Sequence, residues 1–270
     1  MGADGSRRRS TCRPGSSRPR PGGRSGEPAH PPIHHVPERL TLNHRIAART
    51  LPAAVLFDMD GTLVDTERLW WAAAEQVADR IGRPLTDADL PHVLGLPAAR
   101  TAAHLHRTGG PATPDLDALT AELDAAFAAR VAREVVPRPG VQRLLNELAA
   151  AGVPAAIVSA SPRHVVDLVR KALGEDRFAL TLAVEDTVRT KPMPDPYLAA
   201  AAALGVEPHA CVVVEDTPTG VASAEAAGCP VLAVPSTVPI PAAANRTVLD
   251  SLERADLALL AFLLTSSERN

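Results

Sequence analysis

Apolar and polar positions change period several times along this chain, and each change marks a predicted element. Ala53 to Phe57 is an unbroken apolar run that ends in Asp58 and Asp60 and turns at Gly61. A run this short, bounded by turn residues, suits a strand covered on both faces, as in a parallel α/β sheet. From Thr66 to Ala78 the period becomes helical, with Leu69, Trp70, Ala73, Ala74 and Val77 recurring on one face. Further helices are expected at Leu90 to Leu94, Ala98 to His106 and Leu116 to Val131. The last carries Leu119, Leu123, Ala126, Phe127 and Val131 along one stripe. Pro137 and Pro139-Gly140 then break the chain.

Beyond the break, strand and helix patterns alternate, which predicts βαβ units. Helices are expected over Val141 to Ala151, Arg163 to Leu173, Pro194 to Leu204 and Gly220 to Ala227. Gly152, Gly174 and Gly205 close the first three. Strands are expected at Pro154 to Val158, Leu180 to Val184, Cys211 to Val214 and Val231 to Val234. Residues 1–48 have almost no apolar periodicity and are rich in Arg, Pro, Gly and Ser, so a disordered basic tail is expected there. A translation start placed too far upstream would give the same composition.

Composition narrows the partners. The 270 residues hold 28 Lys+Arg and 31 Asp+Glu, a net charge of -3, so the whole chain has no basic excess suited to nucleic acid. The charge is uneven: residues 1 to 50 carry ten Arg and three acids, or +7, leaving about -10 for the rest. No run of 18 uncharged apolar residues occurs, so no membrane span is expected. Ser6-Arg7-Arg8-Arg9 lacks the apolar core that a twin-arginine signal requires. Cys12, Cys211 and Cys229 cannot all pair within one chain and show no metal-ligand spacing, which points to the cytoplasm, with Cys211 and Cys229 as small core residues. The pattern assigns no oligomeric state.

The ends of the predicted strands carry the candidate chemistry. Asp58 and Asp60, at alternate positions beyond a strand, would repel each other in one cavity unless a cation joined them. Ser159 follows the second strand; alone, such a residue is usually a turn or helix cap. Lys191 is one of two lysines in the chain, the other being Lys171. Glu215-Asp216 ends a further strand, and acids there suit a hard, oxygen-seeking cation such as Mg²⁺.

Together these segments resemble the haloacid dehalogenase superfamily. Asp58-Met59-Asp60-Gly61-Thr62-Leu63-Val64-Asp65-Thr66 is similar to its first motif and Ser159 to its second. Thr190-Lys191-Pro192-Met193-Pro194-Asp195-Pro196-Tyr197 is similar to its third, and Glu215-Asp216-Thr217-Pro218-Thr219-Gly220 to its fourth. The resemblance covers roughly residues 51 to 235. It implies an α/β fold, a Rossmann-like parallel sheet core at 49–67 and 137–265 with an inserted all-helical cap at 68–136. It also implies Asp58 as nucleophile, Asp60 as general acid/base, and Ser159 and Lys191 as catalytic partners. Phosphate would be bound by Asp58, Met59, Asp60, Ser159, Ala160 and Lys191. Mg²⁺ would be held by Asp58, Asp216, the main-chain carbonyl of Asp60, and Glu215 directly or through water.

The activity implied is Mg²⁺-dependent hydrolysis of small phosphorylated metabolites, sugar phosphates foremost, through a phosphoaspartate. Dehalogenases lack the second acid, here Asp60, and phosphonatases need a cap lysine that residues 68–136 do not contain. A β-phosphoglucomutase-type transfer stays open, although the mutase Lys-Gly-x-x-Arg signature is replaced by Leu94-Gly95-Leu96-Pro97-Ala98. A non-catalytic binding protein on the same fold is the third reading.

Overall fold

The computed structural model describes residues 51–111 and 113–267. The tail expected at 1–48 lies outside the described residues. Six strands form one sheet: β1 (Ala54–Phe57), β2 (Ala155–Val158), β3 (Leu180–Leu182), β4 (Cys211–Glu215), β5 (Val231–Ala233) and β6 (Arg246–Val248). Their order is β3-β2-β1-β4-β5-β6, and every pairing is parallel. This is the doubly wound arrangement, whose order reverses beside β1, and ligands bind at the carboxyl ends of the strands at that reversal.

The central strands read as continuous apolar runs because both faces are covered. Alternation along β1 sends Val55 and Phe57 into one buried cluster and Ala54 and Leu56 into the other. Helix α1 (Glu67–Arg80) follows β1, and α2 (Leu90–Val93), α3 (Ala98–Thr108) and α4 (Leu116–Glu134) complete the helical segment. In it α4 lies against α1 and α3 through Leu119, Leu123, Phe127 and Val131, and Trp70 meets Phe127 edge to face at 5.3 Å. Asp115 caps α4 by accepting from the Ala118 amide at 2.8 Å.

The chain leaves for these helices and returns from them side by side. Val64 and Pro137 form an antiparallel bridge, and the Arg138 amide donates to the Leu63 carbonyl at 2.9 Å. The return leads into α5 (Val141–Ala151), and α6 (Arg163–Leu173), α7 (Asp195–Leu204) and α8 (Pro218–Ala226) then alternate with β2 to β5. Helix α4 also contacts α6, which joins the helical segment to the sheet-bearing part. The described residues all belong to one compact unit.

One strand and one α-helix among the described residues were not expected from the sequence, β6 and the final helix α9 (Leu257–Ser267). Strand β6 is three residues long and its positions are only half buried, so no alternation betrays it. Helix α9 is apolar all round and offers no period to read. The strand expected over Leu180 to Val184 ends at Leu182, and a 3-10 turn occupies Val184–Asp186.

Candidate active site

Strands β1 and β4 are neighbours in register, Phe57 opposite Val214, and the Asp58 amide donates to the Val214 carbonyl at 2.9 Å. That pairing sets Asp58 beside Glu215 and Asp216. Carboxylate oxygens of the three lie within 4.8 Å of one another, and all three residues are buried. Lys191 enters the same space. Its Nζ stands 2.6 Å from Asp58 Oδ1, 2.7 Å from Glu215 Oε1 and 2.9 Å from the Val158 carbonyl, which uses all three ammonium protons.

Glu215 is fully buried and its acceptor capacity is full. Oε1 accepts from Lys191 and from the Tyr197 hydroxyl at 2.9 Å. Oε2 accepts from the Asp216 amide (3.0 Å), the Thr217 amide (3.2 Å) and the Thr217 hydroxyl (3.1 Å). Gly220 closes over this group, and a Cβ there would stand 1.6 Å from Glu215 Oε1. Asp216 accepts from Thr62 Oγ1 at 3.1 Å on one oxygen and from Ser236 Oγ on the other. Gly61 has φ +86°, and a Cβ on it would lie 2.1 Å from Asp216 Oδ2, so the motif turn needs glycine on both counts.

Asp60 is held separately by three hydroxyls. Thr66 Oγ1 donates to Oδ1 at 2.6 Å, and Ser161 Oγ (2.7 Å) and Ser159 Oγ (3.2 Å) donate to Oδ2. Ser159 in turn accepts from the Ser161 amide at 3.0 Å. Of the predicted phosphate-binding residues, Met59 buries its side chain in the core, which leaves its backbone as its only offering to a ligand. Ala160 is exposed next to Ser159. The amides of Met59 and Ala160 meet no acceptor among the described residues.

Crowding of acids sets the electrostatics. Burial pushes the Asp58 carboxyl well above its usual range; Lys191 opposes the rise, and Glu215, Asp216 and Asp60 add to it. Asp216 is pushed up to about 6 by burial, with Glu215 adding and the hydrogen bonds from Ser236 and Thr62 opposing. Burial alone would lower the Lys191 ammonium, but Asp58 and Glu215 outweigh it and hold its pKa well above the ordinary value. The cluster therefore gathers more negative charge than one ammonium balances. An all-oxygen donor set with surplus negative charge fits a hard divalent cation such as Mg²⁺.

The structure thus brings Asp58, Lys191, Glu215 and Asp216 together, with Asp60 and Ser159 joined beside them. Sequence reasoning gave no role to Thr62, Thr66, Ser161, Tyr197 or Ser236. The first four lie within or next to the motifs and could have been found there. Ser236 carries no local signal, because only the β4–β5 pairing carries the chain after β5 back to Asp216.

Comparison with known proteins bears on the family and the fold. Residues 52–228 match the model of the haloacid dehalogenase-like hydrolases. The chain is 36% identical over 185 residues to hexitol phosphatase A of Escherichia coli (strain K12), covering 66% of this chain and 81% of that protein. It is 33% identical over 175 residues to validoxylamine A 7'-phosphate phosphatase of Streptomyces hygroscopicus subsp. limoneus, covering 64% and 81%. Among solved structures, CbbY from Rhodobacter sphaeroides in complex with phosphate superposes with a TM-score of 0.67 at 28% identity, covering 78% of this chain and 99% of that one. With the sheet order and a family match over residues 52–228, the chain belongs to the haloacid dehalogenase-like hydrolase family.

Proposed function

We propose that this protein is a phosphatase that hydrolyses small phosphorylated metabolites, sugar phosphates foremost, through a phosphoaspartate on Asp58. The observation that carries the reading is the buried Asp58–Lys191–Asp216 grouping beside a hydroxyl-held Asp60. Two relatives named as phosphatases of hexitol and of validoxylamine A 7'-phosphate support the substrate class.

In this mechanism an oxygen of Asp58 attacks phosphorus and the ester P–O bond breaks. Asp60 gives its proton to the departing oxygen, then takes a proton from the water that attacks the phosphoaspartate. Release of inorganic phosphate restores Asp58. Lys191 pairs with Asp58 and keeps positive charge where phosphate oxygens gather. In this reading the Ser159 hydroxyl, which donates to Asp60 Oδ2 at 3.2 Å, turns to a phosphate oxygen. Mg²⁺ would be held by Asp58, Asp216 and the Asp60 carbonyl, and when bound it neutralises and orients the phosphate. Glu215 acts in this reading through Lys191, since its oxygens are already occupied.

A mutase must grip a second phosphate. The stretch that would do so, residues 94–98, offers no cation, and Arg100, two residues on in α3, is left as a partial substitute. No helix among the described residues is long and apolar enough to cross a membrane, and Cys211 and Cys229 are unpaired thiols, which suits the cytoplasmic setting of this reading. The test incubates the protein with p-nitrophenyl phosphate and Mg²⁺: turnover that is lost with EDTA and with Asp58→Asn supports hydrolysis. A second arm supplies β-glucose 1-phosphate with a trace of the 1,6-bisphosphate. Glucose 6-phosphate made far in excess of free phosphate would overturn the reading in favour of the mutase.

A further inference from the structure

Ser223 is a polar residue in an otherwise apolar contact. It lies on α8, whose Val221 and Ala224 share one buried cluster with Tyr197, Ala200 and Ala201 of α7. Ser223 itself is fully buried. A serine inside a helix commonly returns its hydroxyl to the carbonyl one turn earlier. This one donates instead to the Met193 carbonyl at 2.6 Å, 30 residues away in sequence. Met193 lies two residues after Lys191, and its carbonyl accepts from no backbone amide among the described residues.

Apart from the ammonium's own bonds, the loop that carries Lys191 has weaker ties elsewhere. Pro192 and Met193 are exposed, so solvent and not protein lies on its outer side. The Met193 amide donates to the Thr190 carbonyl at 2.9 Å, which closes the turn on itself without tying it to the sheet. Arg189 pairs with Asp195 at 2.9 Å across the loop, but Arg189 is exposed, and a surface pair of this kind holds weakly. Yet the ammonium must meet Asp58, Glu215 and the Val158 carbonyl at once. Helix α8 reaches both sides of that contact. The hydroxyl of its cap residue Thr217 donates to Glu215 Oε2 at 3.1 Å and accepts from the Gly220 amide at 3.0 Å. Ser223 stands about 9 Å further along the helix axis and holds the lysine loop.

We propose that Ser223 is a positioning residue for the phosphoryl transfer: through the Met193 carbonyl, α8 fixes the lysine loop relative to the strand end that carries Glu215 and Asp216. The inference rests on the phosphatase reading above and gives Ser223 no contact with substrate. Without the hydroxyl the loop gains freedom, and Lys191, on its flexible stem, no longer meets Asp58 and the phosphate oxygens at one fixed place. A misplacement of about 1 Å can cost up to about 10²-fold in rate. Water can take over the carbonyl of the exposed Met193, and alanine favours a helix more than serine does, so α8 is expected to stay folded without the hydroxyl.

The test measures p-nitrophenyl phosphate hydrolysis with Mg²⁺ in Ser223→Ala and in Ser223→Cys, which keeps the volume but weakens the donor. Turnover is taken per folded protein, well below the melting temperature. The expected result is a kcat lowered about tenfold in Ser223→Ala and less in Ser223→Cys, with KM changed by less than about threefold. In a Lys191→Met background the loss should vanish, with Ser223→Ala changing kcat by less than about twofold. With Lys191→Arg, made in parallel, the loss should likewise shrink. A Ser223→Ala enzyme with wild-type kcat, a loss that only follows the folded fraction, or a loss of equal size with Lys191 replaced would overturn the positioning role. The phosphatase reading would survive each of those results, because the unaltered protein would still hydrolyse p-nitrophenyl phosphate. Absence of that hydrolysis in the unaltered protein would bring down both.

Discussion

The Lys191 ammonium stands 2.7 Å from Glu215 Oε1, and that carboxylate is in turn fixed by Tyr197, Thr217 and two backbone amides. Every group around Glu215 is a donor, so an amide nitrogen in place of either oxygen would face a donor with a donor. Glu215→Gln is expected to misplace Lys191 and lower kcat by about 10²-fold. It should also destabilise the fold by about 2–3 kcal/mol. Mg²⁺ affinity, read by calorimetric titration, should fall less than in Asp216→Ala. An equal or greater loss would return Glu215 to the metal ligands.

Asp58→Asn should abolish turnover without lowering the melting temperature. Asp58 is buried among Glu215, Asp216 and Asp60, and burial already raises its pKa, so its charged form is the strained one at neutral pH. The amide keeps the volume and removes the repulsion, and Lys191 retains Glu215 and the Val158 carbonyl as acceptors. Near-normal activity in this variant would end the assignment of covalent catalysis.

Much of this architecture was legible because the central strands are buried on both faces and their polar ends break the apolar run sharply. Ala54–Phe57 and Cys211–Glu215 both announce a carboxylate in this way, and their motif neighbours supply the chemistry. What stayed hidden depends on contacts distant in sequence. Ser236 reaches Asp216 only through sheet order, and Ser161 meets Asp60 only because β2 lies beside β1. The saturation of Glu215 is equally invisible in sequence, since Tyr197 comes from α7 and Thr217 from the cap of α8.

A buried ionic group inside the helical segment gives a pH test away from the catalytic groups. Asp89 accepts from Arg83, from His104 Nε2 at 2.7 Å, and from the Thr86 amide (2.8 Å) and hydroxyl (3.0 Å). Arg107 stands 3.1 Å from the other ring nitrogen of His104. The Arg83 guanidinium, with His104 and Thr86, holds the Asp89 carboxyl well below its usual range against the effect of burial. A depressed folded pKa means that the stabilisation is whole above the unfolded value of about 4 and is lost as pH falls below it. Asp89→Asn should therefore cost about 2 kcal/mol at pH 7 and flatten the fall in stability below about pH 4. An acid-unfolding profile that keeps its wild-type slope would contradict this account.

The two described thiols should be inert in the native protein. Burial pushes Cys211 up to about 11 and Cys229 up to about 12, with Cys211 adding to the second, and neither side chain is exposed. Thiolate is the reactive form, so at pH 8 both should resist an aromatic disulfide reagent until the chain is denatured. Of the three cysteines, only Cys12, which lies outside the described residues, is left as a candidate for native labelling. Release of more than one thiol equivalent before unfolding would show that the core around β4 and β5 opens readily.

Ser236 offers the sharpest test of how the site is prepared for Mg²⁺. Its hydroxyl donates to Asp216 Oδ2 while Thr62 donates to Oδ1, so the carboxylate is turned and fixed before any cation arrives. Both bonds favour the charged form, and they oppose the burial that lifts Asp216 to about 6. Ser236→Ala removes one of them, so the folded pKa should rise further. Cation binding needs the carboxylate, so Mg²⁺ affinity at pH 7 should weaken by about tenfold, with a larger deficit at pH 6 than at pH 8. The sign for the metal-free protein is opposite: a carboxyl whose folded pKa is raised stabilises below its unfolded value and loses that contribution as pH climbs through about 6. Metal-free protein should thus melt higher at pH 5 than at pH 7 on this group's account, and saturating Mg²⁺ should reverse that order by binding the native state. An affinity for Mg²⁺ unchanged by Ser236→Ala at every pH would show that Asp216 needs no help from the loop after β5.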